Sequence, residues 1–118
     1  MALSTLHPAK LTELRTLFPE PEELSNLFAC FFRELPIRMA TLHAGIERDT
    51  PELTETAANA LKSSSACLGA WEVHQISARL ESYSQNLRTK EAKTLAADLE
   101  KKIAAFEAEL REAKLLQE

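Results

Sequence analysis

The sequence predicts an all-α protein, and three observations lead to this prediction. Ala, Leu, Glu and Lys, which are strong helix formers, dominate the 118 residues. β-branched residues are few and there are only two glycines, which argues against strands and hairpins. Apolar residues recur at spacings of three and four, the pattern of helices that bury one side. We expect an antiparallel four-helix bundle with a short N-terminal helix, in which residues 1–118 form a single domain.

The short helix is predicted at residues 8–18. Pro8 suits the first turn of a helix, and Pro19 ends the helix because proline cannot continue its hydrogen-bond pattern. The apolar positions between them share one side: Leu11, Leu14 and Phe18. We expect this helix to cover the bundle as a lid.

The second helix is predicted to begin at Pro21, where nearby glutamates favour the positive end of the helix dipole. Its apolar residues form one stripe: Leu24, Leu27, Phe28, Phe31, Leu35, Met39, Leu42 and Ile46. Pro36 removes one backbone hydrogen bond inside this helix, so we expect a bend rather than an end. The run "ERDTPEL" ends the helix and starts the next, with Thr50 as N-cap and Pro51 in the first turn.

Three further helices complete the predicted bundle. At ~100° per residue, one side of the third helix holds Leu53, Ala57, Ala58, Leu61, Ser64, Ser65 and Leu68. Gly69 is the expected turn, and a fourth helix from about Trp71 buries Val73, Ile76, Leu80, Tyr83 and Leu87. The run "RTKEAK" leads into a fifth helix that buries Ala92, Leu95, Leu99, Ile103, Phe106 and Leu110. We expect the final residues, 108–118, to fray or project.

Charge and composition argue against several classes of function. The net charge of −4 gives no support for nucleic-acid binding, and no apolar run approaches the ~20 residues that a membrane span needs. The N-terminus has no apolar signal core, so we expect a cytoplasmic protein in which Cys30 and Cys67 are reduced thiols. We also expect it to be a monomer. Metal-ligand spacing, a phosphate-binding loop, paired carboxylates and nucleophile–base pairs are all missing from the sequence. We therefore expect no cofactor, no metal and no enzymatic active site.

The side of the third helix opposite Leu61 is unusual because small residues replace the long side chains that normally cover a solvated face. It holds Glu52, Glu55, Thr56, Asn59, Ser63 and Ala66, flanked by Lys62 and Cys67. A partner helix could approach this strip closely, with Lys62 able to reach an anion beside it. Serine and alanine are equally tolerated on helix surfaces that bind nothing, so this face alone leaves both interpretations open.

The same segment resembles the signature of bacterial histidine phosphotransfer (Hpt) domains. "NALKSSSACLGA" at residues 59–70, followed by Leu80-Glu81, is similar to Ala-His-x-Leu-Lys-Gly/Ser-Ser-Ser-x-x-Leu-Gly-Ala with a later Leu-Glu. "LFACFFRELPIRMATLHAG" at residues 27–45 is similar to the family's upstream helix, and Asp49 and Leu53 match a "D-x-x-x-L" before the signature. The resemblance covers roughly residues 20–112. It implies the four-helix bundle and a part in a two-component phosphorelay.

The resemblance places Asn59 where the family has its phosphoacceptor histidine. An imidazole nitrogen has an in-plane lone pair that can attack phosphorus, whereas the amide lone pair of asparagine is delocalised into the carbonyl. Lys62 matches the family's lysine, which helps to neutralise the phosphoryl charge. The implied receiver-docking residues are Asn59, Lys62, Ser63, Ala66, Glu55 and Cys67.

We do not expect another histidine to replace the missing acceptor. Helical geometry predicts that His74 lies on the outer side of the fourth helix, beyond the Gly69 turn, whereas Asn59 lies ~15 Å before that turn. His43 and His7 have no signature around them. All three are predicted to be ordinary surface side chains.

Three hypotheses of function follow. The first is a non-phosphorylatable (pseudo-Hpt) module that docks a response-regulator receiver domain or a hybrid histidine kinase. The second is a genuine phosphotransfer protein, or the Hpt domain of a hybrid kinase, represented by a His-to-Asn variant at position 59. The third is a helical interaction scaffold unrelated to phosphorelay, in which Lys62 and Ser63 would not affect partner binding. A standalone protein and one domain of a longer regulator are both compatible with this sequence.

Overall fold

The computed structural model describes the backbone of residues 6–85 and 89–116 and the side chains of residues 6–82 and 90–116. These ranges contain five helices: α1 (Pro8–Leu17), α2 (Pro21–Glu47), α3 (Pro51–Leu68), α4 (Trp71–Gln85) and α5 (Thr89–Glu112). Each of the four long helices packs against the next, and α5 returns to pack against α2. The predicted all-α bundle with a short N-terminal helix is confirmed.

Helix α1 is fixed to the turn between α3 and α4. The backbone N–H of His7 donates to the carbonyl of Gly69 at 2.7 Å. Leu11 and Leu14 are buried as predicted, and the preceding Leu6 is buried too. These contacts hold α1 against the end of α3, where it covers one end of the bundle.

Aromatic side chains fill the space between α2 and α5. Phe106 of α5 lies 6.1 Å from Phe28, 6.2 Å from Phe31 and 6.0 Å from Phe32, measured between ring centroids. The rest of the predicted α2 stripe is buried at Leu24, Leu42 and Ile46 and half-buried at Leu27, Leu35 and Met39. Helix α2 continues through Pro36 without a break.

Helix α3 packs closely against α2 because small residues line the contact. A Cβ atom added to Gly45 would lie 2.6 Å from the backbone nitrogen of Thr54, so this crossing requires glycine. The buried side of α3 contains Thr54, Ala57, Ala58, Leu61, Ser65 and Leu68. The prediction that Ser64 faces inward is wrong, because Ser64 is exposed. The buried arc is centred between Leu61 and Ser65, which leaves Ser64 just beyond its edge.

The predicted turn at Gly69 is confirmed. Gly69 adopts a left-handed conformation with φ of 78°, and the N–H of Ala70 donates to the carbonyl of Ser65 at 2.9 Å. A Cβ at Gly69 would also lie 2.8 Å from Cβ of Lys10 in α1. Thr50 occupies the predicted N-cap position of α3, although its hydroxyl donates to the carbonyl of Arg48 and does not cap the helix.

The predicted apolar sides of α4 and α5 are confirmed within the described residues. Val73, Ile76 and Leu80 are buried in α4, while the side chain of Tyr83 and all of Leu87 lie outside the described residues. In α5 the buried positions are Ala92, Leu99, Ile103, Phe106 and Leu110, with Leu95 half-buried.

The prediction that residues 108–118 fray or project is wrong for the part that the structure describes. Helix α5 continues to Glu112, and the chain then turns through Lys114, whose φ is 61°. The N–H of Leu115 donates to the carbonyl of Leu110 at 2.7 Å, and Leu115 and Leu116 are both buried. Burial of this leucine pair offsets the entropy lost in ordering the chain end.

Candidate functional site

Three polar side chains meet at the surface where α3 lies beside α4. Asn59 donates from Nδ2 to Oε2 of Glu81 at 2.8 Å. Lys62 donates from Nζ to Oε1 of the same carboxylate at 2.7 Å. We call Asn59, Lys62 and Glu81 the Asn59 cluster. A single carboxylate of α4 therefore joins two side chains that lie one turn apart on α3.

Small buried residues allow α4 to approach α3 closely enough for this cluster to form. Ala58 and Ser65 of α3 and Ser77 of α4 are fully buried. Each buried hydroxyl is satisfied by its own helix, since Ser65 donates to the carbonyl of Leu61 at 2.6 Å and Ser77 to that of Val73 at 2.8 Å. Both serines therefore act as small core residues, and the short distance between the helices brings Glu81 within reach of Asn59.

The cluster keeps the Glu81 carboxylate ionised. The hydrogen bonds from Lys62 and then from Asn59 lower the pKa of Glu81 below its ordinary value, and partial burial opposes them without reversing the direction. The side chains of Lys62 and Glu81 are 29% and 19% exposed, so this ion pair is only partly screened by water. At neutral pH the ammonium of Lys62 is already balanced by a carboxylate.

The structure brings the six predicted docking residues onto one side of α3. Five of them are exposed and Lys62 is half-buried, and together they define the outer face of α3: Glu55, Asn59, Lys62, Ser63, Ala66 and Cys67. Cys67 and Cys30 are both free cysteines. The predicted strip of short side chains at Asn59, Ser63 and Ala66 is thus accessible from solvent.

The sequence prediction omits Glu81 from the site, although Glu81 makes both polar contacts of the cluster. The sequence feature that could have pointed to Glu81 is the Leu80-Glu81 pair. Leu80 is fully buried against the core, so the next residue emerges about 100° further round α4, toward its edge. Whether that edge lies beside Asn59 depends on the relative register of α3 and α4. The Leu80-Glu81 pair alone does not determine this register.

The prediction that His74 lies on the outer side of α4 is wrong. His74 is half-buried, and its Nδ1 lies 3.0 Å from the carbonyl oxygen of Lys62. A carbonyl only accepts hydrogen bonds, so Nδ1 is the protonated nitrogen in this contact. The ring also stacks on Trp71 at 5.1 Å. His74 therefore helps to hold α4 against α3 beneath Lys62, while His43 contacts Glu100 on the α2–α5 side of the bundle.

The arrangement is suited to recognition through hydrogen bonds and charge. Asn59 offers an amide that donates and accepts hydrogen bonds but has no nucleophilic lone pair. Within residues 6–85 and 89–116, no three His, Cys, Asp or Glu side chains are grouped so that they could hold a metal ion. None of the helices in those ranges has the length and apolar character needed to cross a membrane.

The chain also matches a known protein family. The family model of the Hpt domain matches residues 26–114, which include most of α2 and all of α3, α4 and α5. The match therefore contains the whole Asn59 cluster. No curated protein and no solved structure matches the chain. Because the family match covers most of its length, the chain belongs to the Hpt domain family, whose members are phosphotransfer adaptor modules of phosphorelay signalling rather than classical enzymes.

Proposed function

We propose that this chain is a non-phosphorylatable Hpt module that binds the receiver domain of a response regulator or hybrid histidine kinase through the outer face of α3. The observation that carries the proposal is the exposed Asn59, which donates a hydrogen bond to Glu81. The resemblance places this residue at the phosphoacceptor position of the family. Lys62 and the small residues Ser63 and Ala66 remain beside it. The chain keeps a surface for recognition without the nucleophile for phosphotransfer.

The chemical argument rests on the electron pair that phosphotransfer needs. Transfer from a receiver aspartate forms an N–P bond as the aspartyl O–P bond breaks, so the acceptor nitrogen must present a lone pair in its plane. The amide nitrogen of Asn59 has no such lone pair and already donates to Glu81. A receiver docked over this position would therefore be bound without transferring its phosphoryl group to Asn59.

If position 59 were a histidine, the other two residues of the cluster, Lys62 and Glu81, would already be present beside it. Nδ1 of histidine and Nδ2 of asparagine are both bonded to Cγ, so a histidine could donate from Nδ1 to Glu81 as Asn59 does. That hydrogen bond would place the proton on Nδ1 and leave the lone pair on Nε2, pointing outward. Only one substitution therefore separates the present site from one that could accept a phosphoryl group.

Binding is tested by titrating isotope-labelled protein with the receiver domains encoded in the same genome. We expect NMR shift changes concentrated on the outer face of α3. Ala66→Arg should abolish binding because a long side chain would fill the strip, whereas Ala104→Arg, at an exposed position of α5, should leave binding unchanged. Absence of binding to every receiver would refute the proposal. Partner binding that Ala66→Arg does not affect would favour a scaffold that uses another surface.

Phosphotransfer is tested by incubation with phosphorylated receivers and detection of an acid-labile phosphoramidate. We expect no label on the unmodified chain, label on Asn59→His, and none on the control Asn26→His, an exposed position of α2. Label on the unmodified chain would disprove the loss of phosphotransfer. An unlabelled Asn59→His protein that still binds receivers would show that more than the acceptor is missing. The alternative of a His-to-Asn variant makes the same prediction for Asn59→His, and the coding sequence of the source gene distinguishes the two.

A further inference from the structure

Trp71 is a large apolar side chain that remains at the surface. It opens α4 directly after the Gly69 turn, and 51% of its surface is exposed. Its indole stacks on the ring of His74 at 5.1 Å, and Nδ1 of His74 lies 3.0 Å from the carbonyl oxygen of Lys62. These contacts hold one side of the indole against the bundle and leave the rest of it facing solvent.

A groove of about 260 Å³ lies between Trp71 and α1. We call it the Trp71 groove, and its lining includes Ala9, Lys10, Glu13, Ala66, Gly69 and Trp71. The charges of Lys10 and Glu13 balance, because the two side chains pair with each other at 3.2 Å. The groove is smaller than the ~300–1,000 Å³ of pockets that hold drug-sized ligands. It suits an apolar side chain of a protein partner better than a small molecule.

Both walls of the groove are fixed to the same turn. The N–H of His7 donates to the carbonyl of Gly69 at 2.7 Å, and the N–H of Ala70 donates to the carbonyl of Ser65 at 2.9 Å. A Cβ added to Gly69 would lie 2.8 Å from Cβ of Lys10, so α1 lies directly against this turn. The groove is therefore formed before a partner arrives, which lowers the entropic cost of filling it.

The groove continues the outer face of α3. Ala66 belongs to that face and also lines the groove. It lies about two helical turns, ~10 Å, beyond Asn59. A stable interface covers roughly 800 Å² of each partner, which corresponds to a patch ~30 Å across. A receiver centred on Asn59 would therefore reach the Trp71 groove.

The groove on the other side of Trp71 is less suited to an apolar side chain. It lies between α4 and α5 and is lined by the charged side chains Glu72, Arg79, Asp98 and Lys102. The ammonium of Lys102 lies 2.8 Å from the carboxylate of Glu72. Among the residues that the structure describes, its lining includes none from the outer face of α3.

We propose that the Trp71 groove receives an apolar side chain of the receiver that docks on the outer face of α3, with Trp71 as the anchor of this contact. The inference rests on the proposed function, because the receiver supplies the occupant. Aromatic anchors in well-packed pockets carry much of the binding energy of protein interfaces. One wall of the groove, α1, lies outside the residues 26–114 that match the family model, so this contact adds to whatever the family's common helices provide.

The occupant is tested with protein labelled with 5-fluorotryptophan. Trp71 is the only tryptophan of the chain, so the labelled protein has one ¹⁹F resonance that the receiver's own tryptophans cannot obscure. Receivers from the same genome should shift this resonance, and they should lower its relaxation by a dissolved gadolinium chelate at least about twofold as the indole is covered. NOEs from the indole ring to methyl groups of the receiver are also expected.

Substitutions on both walls measure what the contact contributes to affinity. Trp71→Ala should weaken receiver binding about thirtyfold, as for the loss of an aromatic anchor. Its control is Ile37→Ala, which removes an equally exposed apolar residue of α2 and should change affinity less than about twofold. Ala9→Phe fills the groove from α1 and should weaken binding about tenfold. Thr16→Phe, at an exposed position of α1 outside the groove, is its control.

Failure of this inference and failure of the proposed function give different results. Receiver binding that leaves the ¹⁹F resonance unmoved, or NOEs only to polar side chains, overturns the inference. So does full affinity of Trp71→Ala and Ala9→Phe while Ala66→Arg still abolishes binding, and in each case receiver binding itself stands. A resonance that shifts with protein concentration alone assigns the groove to a second copy and also overturns the inference. Absence of binding to every receiver overturns both. If circular dichroism shows that Trp71→Ala is unfolded, the ¹⁹F measurement and Ala9→Phe decide.

Discussion

The two halves of the bundle are held together in different ways. Between α2 and α5, Phe106 contacts the rings of Phe28, Phe31 and Phe32, and large apolar side chains fill the space. In α3 and α4 the fully buried residues include the small side chains Ala58, Ser65 and Ser77, and a polar cluster bridges the two helices at the surface. Bulky rings bury more apolar area, whereas small residues allow the backbones of two helices to lie closer together. Only the second arrangement lets a carboxylate of α4 reach two side chains of α3.

The largest expected effect is on the aromatic half. Phe106→Ala removes a fully buried ring and leaves a cavity among three other rings, so it should lower the free energy of unfolding by about 3–5 kcal/mol. Urea unfolding monitored by circular dichroism measures the loss. Phe106→Leu keeps most of the volume and should cost about 1 kcal/mol. A loss below about 1 kcal/mol for Phe106→Ala would show that the aromatic half does not dominate stability.

The small-residue half is expected to respond to added volume instead. Ser65→Leu places a large side chain at a fully buried position and should destabilise the protein by about 1–3 kcal/mol through overpacking. It should also separate α3 from α4 and so weaken the contacts of Glu81 and any receiver binding that depends on them. Ser64→Leu is the matched control because Ser64 is the adjacent, exposed serine, and its effect should stay within about 0.5 kcal/mol. Equal effects of the two substitutions would contradict the proximity argument.

Features that depend on neighbouring residues along the chain can be predicted from the sequence, whereas features that depend on packing between helices cannot. The helices and their buried stripes are predictable because apolar spacing repeats within each helix, and Pro21, Pro51 and Gly69 mark ends through their own backbone preferences. The distinction between Ser64 and Ser65 is not predictable, because it depends on the centre of the buried arc to within a fraction of a residue. The return of Leu115 combines a local turn, closed by its hydrogen bond to the carbonyl of Leu110, with burial against the bundle, and the apolar spacing of α5 does not describe that burial.

The contacts of the candidate site also divide into those that the sequence predicts and those that it does not. Asn59 and Lys62 are predictable as neighbours because they lie three residues apart on one helix. Their contact with Glu81 is not, because it depends on the relative register of α3 and α4, and the pattern of one helix alone does not determine that register. The contact of His74 with the carbonyl of Lys62 is not predictable either, because it also depends on the relative register of α3 and α4.

The smallest expected effect is that of Glu81→Gln on stability, which measures what the Asn59 cluster contributes to the free energy of unfolding. The pKa of Glu81 is lower in the folded protein than in the unfolded chain, so its contribution to stability is present above the ordinary glutamate range and is lost as pH falls through the folded pKa. At pH 7 a partly exposed pair of this kind is worth about 1 kcal/mol or less. We therefore expect the unmodified protein to exceed Glu81→Gln in stability by that amount at neutral pH, and the difference to disappear as the pH falls from the ordinary glutamate range through the lower pKa of the folded protein.

Urea unfolding of both proteins at a series of pH values measures this difference directly. Glu34→Gln is the control for the loss of a carboxylate, because Glu34 is exposed on α2 outside the cluster. A stability difference for Glu81→Gln that grows as the pH falls would have the wrong sign for a carboxylate whose pKa is lowered by folding. A difference well above about 1 kcal/mol at neutral pH would exceed what a partly exposed pair provides, and would mean that the cluster stabilises the α3–α4 half as the rings stabilise the α2–α5 half. The small value that we expect instead would mean that the cluster contributes little to the stability of the α3–α4 half.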